Sequence, residues 1–477
     1  MGKSEKKKIS FWGKVLLVYI GIVAYVTLFF VIAGEDVNLK RVSTDAVDAA
    51  DNVGEILNDS VVEQTFQSPG SKLTGLEMNI GTYDRQDKGK MKFQILDMND
   101  KVLGGTTLNL KNANNGENDL TFDEPVLVKQ DQTYKLRLSV EGTRKGQSVT
   151  VYYGNKVNDG TFTIAGKEQN KSELVYSMIG KTKDPLGPVL GYGTITVLAI
   201  LGIYLLYMGW ADKKGKMTVG MQIMNAFHTY RFLMQQLVSR EFKVRYKRSV
   251  LGVLWSFVNP LLTMMVQYVV FTMLFHNAIP HYIVYLLIGI SFFNFYSEAT
   301  NGGLLSITGN STLIKKVYVP KYIYPLSLIF SAAINFFISL GLMFAVAFLT
   351  GIAPNRYMLL IPFAIFSIFV LNIGVSLVLA TGEVFFRDVQ FLYSVFMTLL
   401  SYATPLFWDL SMIPSKYVWV FELNPLADVI IFARDLILHN RFPGSQITLL
   451  CIIIPSLILL WGIHTFRKHQ DEFVLYI

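Results

Sequence analysis

The sequence predicts an α-helical polytopic membrane protein with an extracytoplasmic β-sandwich domain inserted between its first two spans. Three observations carry that reading. The 477 residues are 52% hydrophobic and only 16% charged, far from the balance of a soluble globular domain. Apolar runs recur at lengths that cross a bilayer, which takes about 20 residues. One long stretch lacks such runs and alternates apolar with polar residues at period two.

Residues 1–34 are expected to hold a cytosolic N-terminus and a first transmembrane anchor, because Phe11 to Ala33 is apolar and follows Lys3, Lys6, Lys7 and Lys8. The run exceeds the core of a cleaved signal peptide, about 7 to 15 residues. It reads as an anchor, and an anchor or a signal peptide would equally put the chain from residue 35 onward outside the cell.

Residues 35–185 are expected to form the extracytoplasmic domain. The runs beginning at Leu73, Lys92, Thr133 and Ser148 have strand periodicity, and Asp87-Lys-Gly, Asn114-Asn-Gly and Arg144-Lys-Gly separate them as turns. Several short strands with such turns predict an antiparallel sandwich. The stretch Val42 to Asn58 is expected to be a short helix.

Residues 186–211 are expected to form the second anchor, through the apolar run Pro188 to Trp210. In 212–250, Ile223, Phe227, Tyr230, Met234 and Leu237 recur at helical spacing and the stretch turns basic at Arg240, Lys243, Arg245, Lys247 and Arg248. This predicts an amphipathic helix along the inner membrane surface. Six further spans are expected in 251–467, at about 252–275, 282–303, 324–350, 357–381, 389–407 and 446–466, with a cytosolic C-terminus at 468–477. The piece from about 405 to 444 is apolar but interrupted by Asp409, Pro414, Lys416 and Pro425, too broken to span.

Charge placement orients the chain. Residues 35–184 carry 23 acidic and 19 basic residues, a balance of −4, while the rest carries 24 basic and 12 acidic, a balance of +12. With both termini inside, 20 Lys and Arg fall in the inner segments against four in the outer loops of the last six spans. The +8 net charge is therefore a topology signal and implies no nucleic-acid partner. All six tryptophans, at 12, 210, 255, 408, 419 and 461, lie near span ends or in an outer loop, as interfacial anchors do.

Chemistry is sparse. Gly180-Lys181-Thr182 has Val175 where a phosphate-binding loop requires glycine. His276 and His281 have no carboxylate or cysteine in their loop to complete a metal shell. The lone Cys451 rules out an intramolecular disulfide. Glu298, beside Asn294 and Asn301, is the acid placed within a span, where a carboxylate has either a structural hydrogen-bonding role or a place on a transport pathway. No series of acids suits proton coupling, so energy is expected from a separate source.

The stretch Arg240-Glu-Phe-Lys-Val-Arg-Tyr-Lys-Arg-Ser-Val-Leu-Gly-Val-Leu-Trp-Ser-Phe-Val-Asn-Pro260 closely resembles the start of the ABC-2 type permeases that export O-antigen, capsule and teichoic-acid polysaccharides. Leu313-Ile-Lys-Lys-Val-Tyr-Val-Pro-Lys-Tyr-Ile-Tyr-Pro325, Phe385-Phe-Arg-Asp-Val389 and Asn424-Pro425 extend the resemblance over about 225–468. It implies a transport permease and no enzyme: a homodimer exporting a lipid-linked polysaccharide, working with two copies of a separate ABC ATPase. That ATPase would hold ATP and Mg, with no cofactor or metal on this chain. It also implies short re-entrant helices at 405–444 and ATPase coupling through Arg240, Glu241, Lys315, Lys316, Glu383, Arg387 and Asp388.

The residues add candidates of their own. Asn259-Pro260 should kink the first span of the six, since proline removes a backbone donor. Arg245, Lys247 and Arg248 sit at headgroup level, to hold a lipid-linked pyrophosphate or simply to anchor on anionic membrane lipids. Aromatic rings suit a sliding sugar chain, and Trp255, Tyr268, Phe275, Tyr402 and Trp408 are the channel candidates. For the outer domain, glycan binding through Tyr83, Tyr134, Tyr152 and Tyr153 competes with a spacer role. Two other functions remain open: a membrane-embedded glycan polymerase or transferase using Asp409, Glu422, Asp428, Arg434 and Asp435, and an envelope sensor.

Overall fold

The computed structural model describes residues 2–477 apart from 45, 59, 84, 86, 158–159, 248, 276–280, 317–318, 411–412 and 414. The chain divides into two compact units, residues 35–188 and residues 1–34 with 189–477.

The smaller unit is an antiparallel β structure of two sheets. Its strands are β1 (Leu39–Ser43), β2 (Asp51–Asn52), β3 (Val62–Gln67), β4 (Lys72–Gly81), β5 (Lys90–Leu96), β6 (Val102–Asn109) and β7 (Gly116–Leu127). They continue as β8 (Thr133–Glu141), β9 (Thr150–Asn155), β10 (Phe162–Ile164), β11 (Lys167–Glu168), β12 (Ser172–Leu174) and β13 (Tyr176–Lys183). One sheet runs β1-β13-β4-β9-β12, with β7 beside β4 and β2 beside β9; the other runs β11-β10-β3-β8-β5-β6. Alternation fixes the register: along β8, Tyr134, Leu136, Leu138 and Val140 are buried while the residues between them are not, and their inward set packs with Leu76, Met78 and Ile80 of β4.

One expectation changes here. No helix forms in the described part of 42–58, where residues 39–43 pair instead with β13 from Lys183 to Ile179 and Asp51–Asn52 pair with β9; unsatisfied strand edges outcompete a weak local helical tendency. Gly180-Lys181-Thr182 lies within β13, between β1 and β4, so it is ladder and not a phosphate cradle. Of the four tyrosines offered for glycan binding, Tyr134 is buried with its hydroxyl accepting the Lys129 N–H at 2.9 Å. Tyr153 packs on Phe162. Tyr83 presents an exposed ring, with the Arg85 guanidinium 4.7 Å from its centroid.

The larger unit is helical: α1 (Gly2–Ala33), α2 (Leu186–Lys213), α3 (Val219–Tyr246), α4 (Trp255–Phe275), α5 (Tyr282–Leu305), α6 (Ser311–Lys316) and α7 (Ile323–Leu349). It continues through α8 (Ile361–Phe385), α9 (Val389–Ala403), α10 (Ser415–Glu422), α11 (Pro425–Ile437), α12 (Ser445–His469) and α13 (Phe473–Tyr476). Among the described residues, seven helices are long and apolar enough to cross a membrane. The run expected as a span at 389–407 is a 15-residue helix, α9, about 22 Å long against a hydrocarbon core of about 30 Å. It stops before Pro405, which disfavours helix at the residue ahead of it.

The two anchors are tied to each other, and α1 packs on the rest of the helical unit. Trp12 Nε1 donates to Asp212 at 2.9 Å and the Tyr19 hydroxyl donates to the Leu198 carbonyl at 3.1 Å, tying α1 to α2. Phe29 of α1 lies against Phe363 and Phe442. The amphipathic helix α3 begins with its Thr218 side chain capping the Met221 N–H and buries Leu237 in a cluster with Ile307, Tyr324, Leu377, Phe466 and Phe473. Helix α5 is buried along most of its length and is the centre of the unit.

Candidate functional site

The site grows from the way α3 meets α4. Helix α3 ends at Tyr246 and Lys247 leaves it in an extended conformation. Gly252, at φ 52°, then takes the left-handed geometry that glycine adopts without strain, and α4 starts at Trp255. This turn carries Arg245 beneath α5, where its guanidinium pairs with the Glu298 carboxylate. Glu298 also accepts the Asn335 Nδ2 amide of α7 at 3.0 and 3.3 Å. Asn335 Oδ1 in turn accepts the Ser256 hydroxyl of α4 at 3.2 Å. One polar chain thus links α3, α5, α7 and α4.

That chain borders a cavity of about 540 Å³. Its walls carry the amides of Asn259, Asn294, Asn301 and Asn335, serine hydroxyls including Ser291 and Ser339, and the rings of Trp255, Phe295 and Phe336. Pro260 also lines it; having no N–H to give to the Ser256 carbonyl, it weakens the helix ladder where the wall forms. The lining is mostly neutral, because the Glu298 charge is matched by Arg245. Amides and hydroxyls both donate and accept, and rings supply apolar faces. Such a surface suits a polyhydroxylated, uncharged ligand.

The sequence marks Glu298, Asn294, Asn301, Trp255 and Asn259-Pro260, and the structure brings all of them to this cavity. Asn335 escaped sequence reasoning. Its signal was present: Ser331, Asn335 and Ser339 recur every four residues in a helix otherwise apolar on that face, a polar stripe matched by Ser291, Asn294, Glu298 and Asn301 on α5.

The other channel candidates lie elsewhere. Tyr268 is half-buried, its ring 6.1 Å from that of Tyr282. Tyr402 is exposed at the end of α9, and its carbonyl accepts the Trp408 indole N–H at 3.3 Å. Trp408 packs on Phe421. These three gather around the segment after α9. The side chain of Phe275, and Arg248, His276 and Pro414, lie outside the described residues. Lys247 is exposed, whereas Arg245 is engaged by Glu298.

The coupling candidates meet at one end of the unit. Arg240 contacts the carboxylate of neighbouring Glu241 and donates to Asn310 Oδ1 at 3.1 Å, just ahead of α6 with the exposed Lys315 and Lys316. Leu313 and Ile314 of α6 and Phe385 of α8 pack on the same apolar cluster as Leu237 of α3. Arg387 and Asp388 are exposed in the turn between α8 and α9. Glu383 differs: it is 4% exposed and accepts the Gln390 backbone N–H, so it sits at the N-terminus of α9 instead of on a docking surface. Lys321, in the same region, donates to the Gln470 carbonyl, and burial pushes its ammonium pKa below the usual lysine value against the opposing pull of Asp471.

Of the residues offered for a transferase, Asp428, Arg434 and Asp435 are buried.

Comparison with known proteins agrees with this architecture. The family profile described as ABC-2 type transporter matches residues 233–438, from within α3 to the end of α11. An O-antigen export system permease protein, RfbA of Klebsiella pneumoniae, is 30% identical over 242 residues, 50% of this chain and 93% of its own. The Myxococcus xanthus protein of the same name is 29% identical over 53% of this chain and 98% of its own. Among solved structures, a likeness to the Clostridial cysteine protease Cwp84 at 11% identity covers 30% of this chain and 40% of that one, with a TM-score of 0.23, too slight to carry any argument. A multi-pass helical body, matched over nearly the whole length of a permease at 30% identity, places the chain in the ABC-2 type transporter family, whose permeases work with an ABC ATPase partner.

Proposed function

We propose that this chain is the transmembrane subunit of an ATP-driven exporter that moves a lipid-linked cell-surface polysaccharide from the cytosolic to the outer side of the plasma membrane. It acts as a homodimer with two ATPase copies, which bind ATP and Mg. Both termini face the cytosol and residues 35–185 lie outside, with α9 and the irregular segment after it together making the crossing between α8 and α12. The observation that carries the reading is the neutral amide, hydroxyl and aromatic lining of the cavity between α4, α5 and α7, in a chain whose relatives are named as O-antigen export permeases. A sugar chain offers many hydroxyls and no strong charge, so a lining of this kind can hold it without trapping it.

The residues then take roles. Trp255 and the asparagines contact saccharide units in transit, with Tyr268, Tyr402 and Trp408 lining the exit. Lys247 and Arg248 attract the pyrophosphate of the lipid carrier, while Arg245 joins the polar chain that ties the interface helix to the spans. ATP-driven closure of the motor pushes on α3, α6 and the α8–α9 turn, and the shared apolar cluster passes that movement to α7, α8 and α12.

The test is transport by the purified permease–ATPase complex in liposomes. ATP-dependent delivery of a lipid-linked polysaccharide to the lumen supports the proposal. Retained glycan synthesis by the chain without an ATPase partner overturns it.

Within this scheme, charge reversal at both Arg387 and Asp388 lowers polymer-stimulated ATPase activity by about tenfold, equivalent to ~1.4 kcal/mol of barrier. Both side chains are exposed, so the folded yield should not change. An unchanged rate in the purified complex removes the α8–α9 turn from the coupling surface.

A further inference from the structure

The segment after α9 leaves helical geometry at Thr404 and stays irregular to Asp409. Irregular backbone at membrane depth persists only where its polar groups are satisfied by protein or water. Four successive carbonyls of this segment are satisfied by side chains of two neighbouring helices. Arg434 of α11 donates through Nη1 to the Pro405 carbonyl and through Nη2 to the Leu406 carbonyl at 3.1 Å and the Tyr285 carbonyl at 3.2 Å. The Tyr282 hydroxyl of α5 donates to the Phe407 carbonyl at 2.7 Å, and the Tyr285 hydroxyl donates to the Trp408 carbonyl at 2.6 Å. Behind them, Asn424 Nδ2 donates to Thr404 Oγ1 at 2.9 Å.

Arg434 is 3% exposed and lies over the Tyr285 ring at 3.4 Å from the centroid. Its slot is shaped by a glycine: a Cβ on Gly289 of α5 would stand 2.8 Å from Arg434 Nη2 and 3.4 Å from Leu406 Cδ2. The clamp also sets the aromatics. Phe407 stacks on Phe271 of α4 at 4.6 Å, and Trp408 folds back on the last turn of α9.

We infer that Arg434, seated in the slot left by Gly289, is the positioning residue that holds segment 404–409 and its aromatic side chains in place beside α4 and α5. A planar guanidinium with several fixed donors can bridge carbonyls on two elements at once; a lysine ammonium has the charge without the plane or the stacking. If the chain exports a polymer, this fixes the outer exit, although the clamp itself does not depend on what is exported.

The test is thiol labelling of the full chain in native membranes with a water-soluble maleimide. The reporter is Leu406→Cys at a buried position. The native Cys451, buried with its carbonyl accepting the Ser367 hydroxyl at 2.6 Å, serves as internal control in α12. With Arg434 intact, position 406 is protected. In R434Q its labelling accelerates by roughly tenfold or more, as loss of several buried charge-assisted bonds implies, while Cys451 stays protected. R434K is intermediate. G289A behaves like R434Q although every charge is retained, and it carries the test if R434Q does not accumulate. Protection of position 406 in both R434Q and G289A overturns the inference. So does equal labelling of Cys451, which would make Arg434 a general stabiliser with no special hold on the segment. No polymer enters the assay, so failed export in liposomes leaves its outcome unaffected.

Discussion

Replacing Gly462 with leucine is expected to leave little folded chain in the membrane. A Cβ at Gly462 of α12 would stand 2.4 Å from the Gly374 carbonyl oxygen of α8, and one at Gly374 would stand 2.6 Å from the Leu459 backbone nitrogen. Both obstacles are backbone, so no side-chain rotation relieves them and the two helices must separate. In a membrane, helices gain little by hiding apolar surface from lipid and depend on close contact between small residues. Overpacking by one residue commonly costs about 1–3 kcal/mol, and a backbone-limited contact belongs at the upper end or above. Gly374→Leu should act alike, and Gly462→Ala should show a milder form. The measurement is the monodisperse fraction after detergent extraction and its Tm; a leucine variant matching the parent in both would refute the close approach of α8 and α12.

The second large effect is expected at Glu298. Glu298→Leu removes the acceptor that Arg245 and Asn335 share at the cavity wall. A hydrogen bond to a charged group contributes about 1.5–3 kcal/mol. Here the Arg245 side chain is 41% exposed and that of Glu298 27%, so the ion pair itself belongs nearer the exposed range of about 0–1 kcal/mol and the lost Asn335–Glu298 hydrogen bond supplies more of the loss. Arg245→Leu alone leaves the carboxylate with Asn335, and the double variant removes both charges. A double-mutant cycle read by thermal unfolding should give a favourable coupling of about 0.5–1 kcal/mol, and export should fall in both single variants. Strictly additive losses would dissolve the polar chain from α3 to α4.

Much of the architecture is legible from residues alone. Spans of Leu, Ile, Val and Phe at bilayer length announce themselves, and the −4 and +12 charge balances of the two parts follow the chain across the membrane. In the outer domain, strand periodicity locates β4, β5, β8 and β9 to within a few residues. Residues 42–58 mislead because their strands are held by partners far along the chain, β9 and β13, and pairing of that kind leaves little local trace. The 15-residue α9 looks like a full span because hydropathy continues through Leu406 and Phe407, while the helix itself does not survive Pro405.

The cavity is half visible in the sequence. Glu298 stands out as an acid among apolar neighbours, but Asn335 lies 37 residues away, and nothing local in α7 says which helix its stripe will face. Glu383 shows the opposite failure: an acid near an inner loop reads as surface, yet it is buried in the last turn of α8. Arg434 stands in the sequence only as one charge among several in a broken segment, because its acceptors are backbone carbonyls and these have no sequence signature.

By itself, then, the sequence determined that this chain crosses the membrane repeatedly, carries a β domain between two anchors and resembles an export permease, since hydrophobicity, charge and strand alternation are properties of consecutive residues. Only the tertiary structure decided which polar groups meet: Arg245 with Glu298 and Asn335, Arg434 with the carbonyls of 405 and 406, Gly374 against Gly462. Those meetings depend on helix rotation and approach distance, which are set when buried polar groups must find partners and small residues allow backbones to touch.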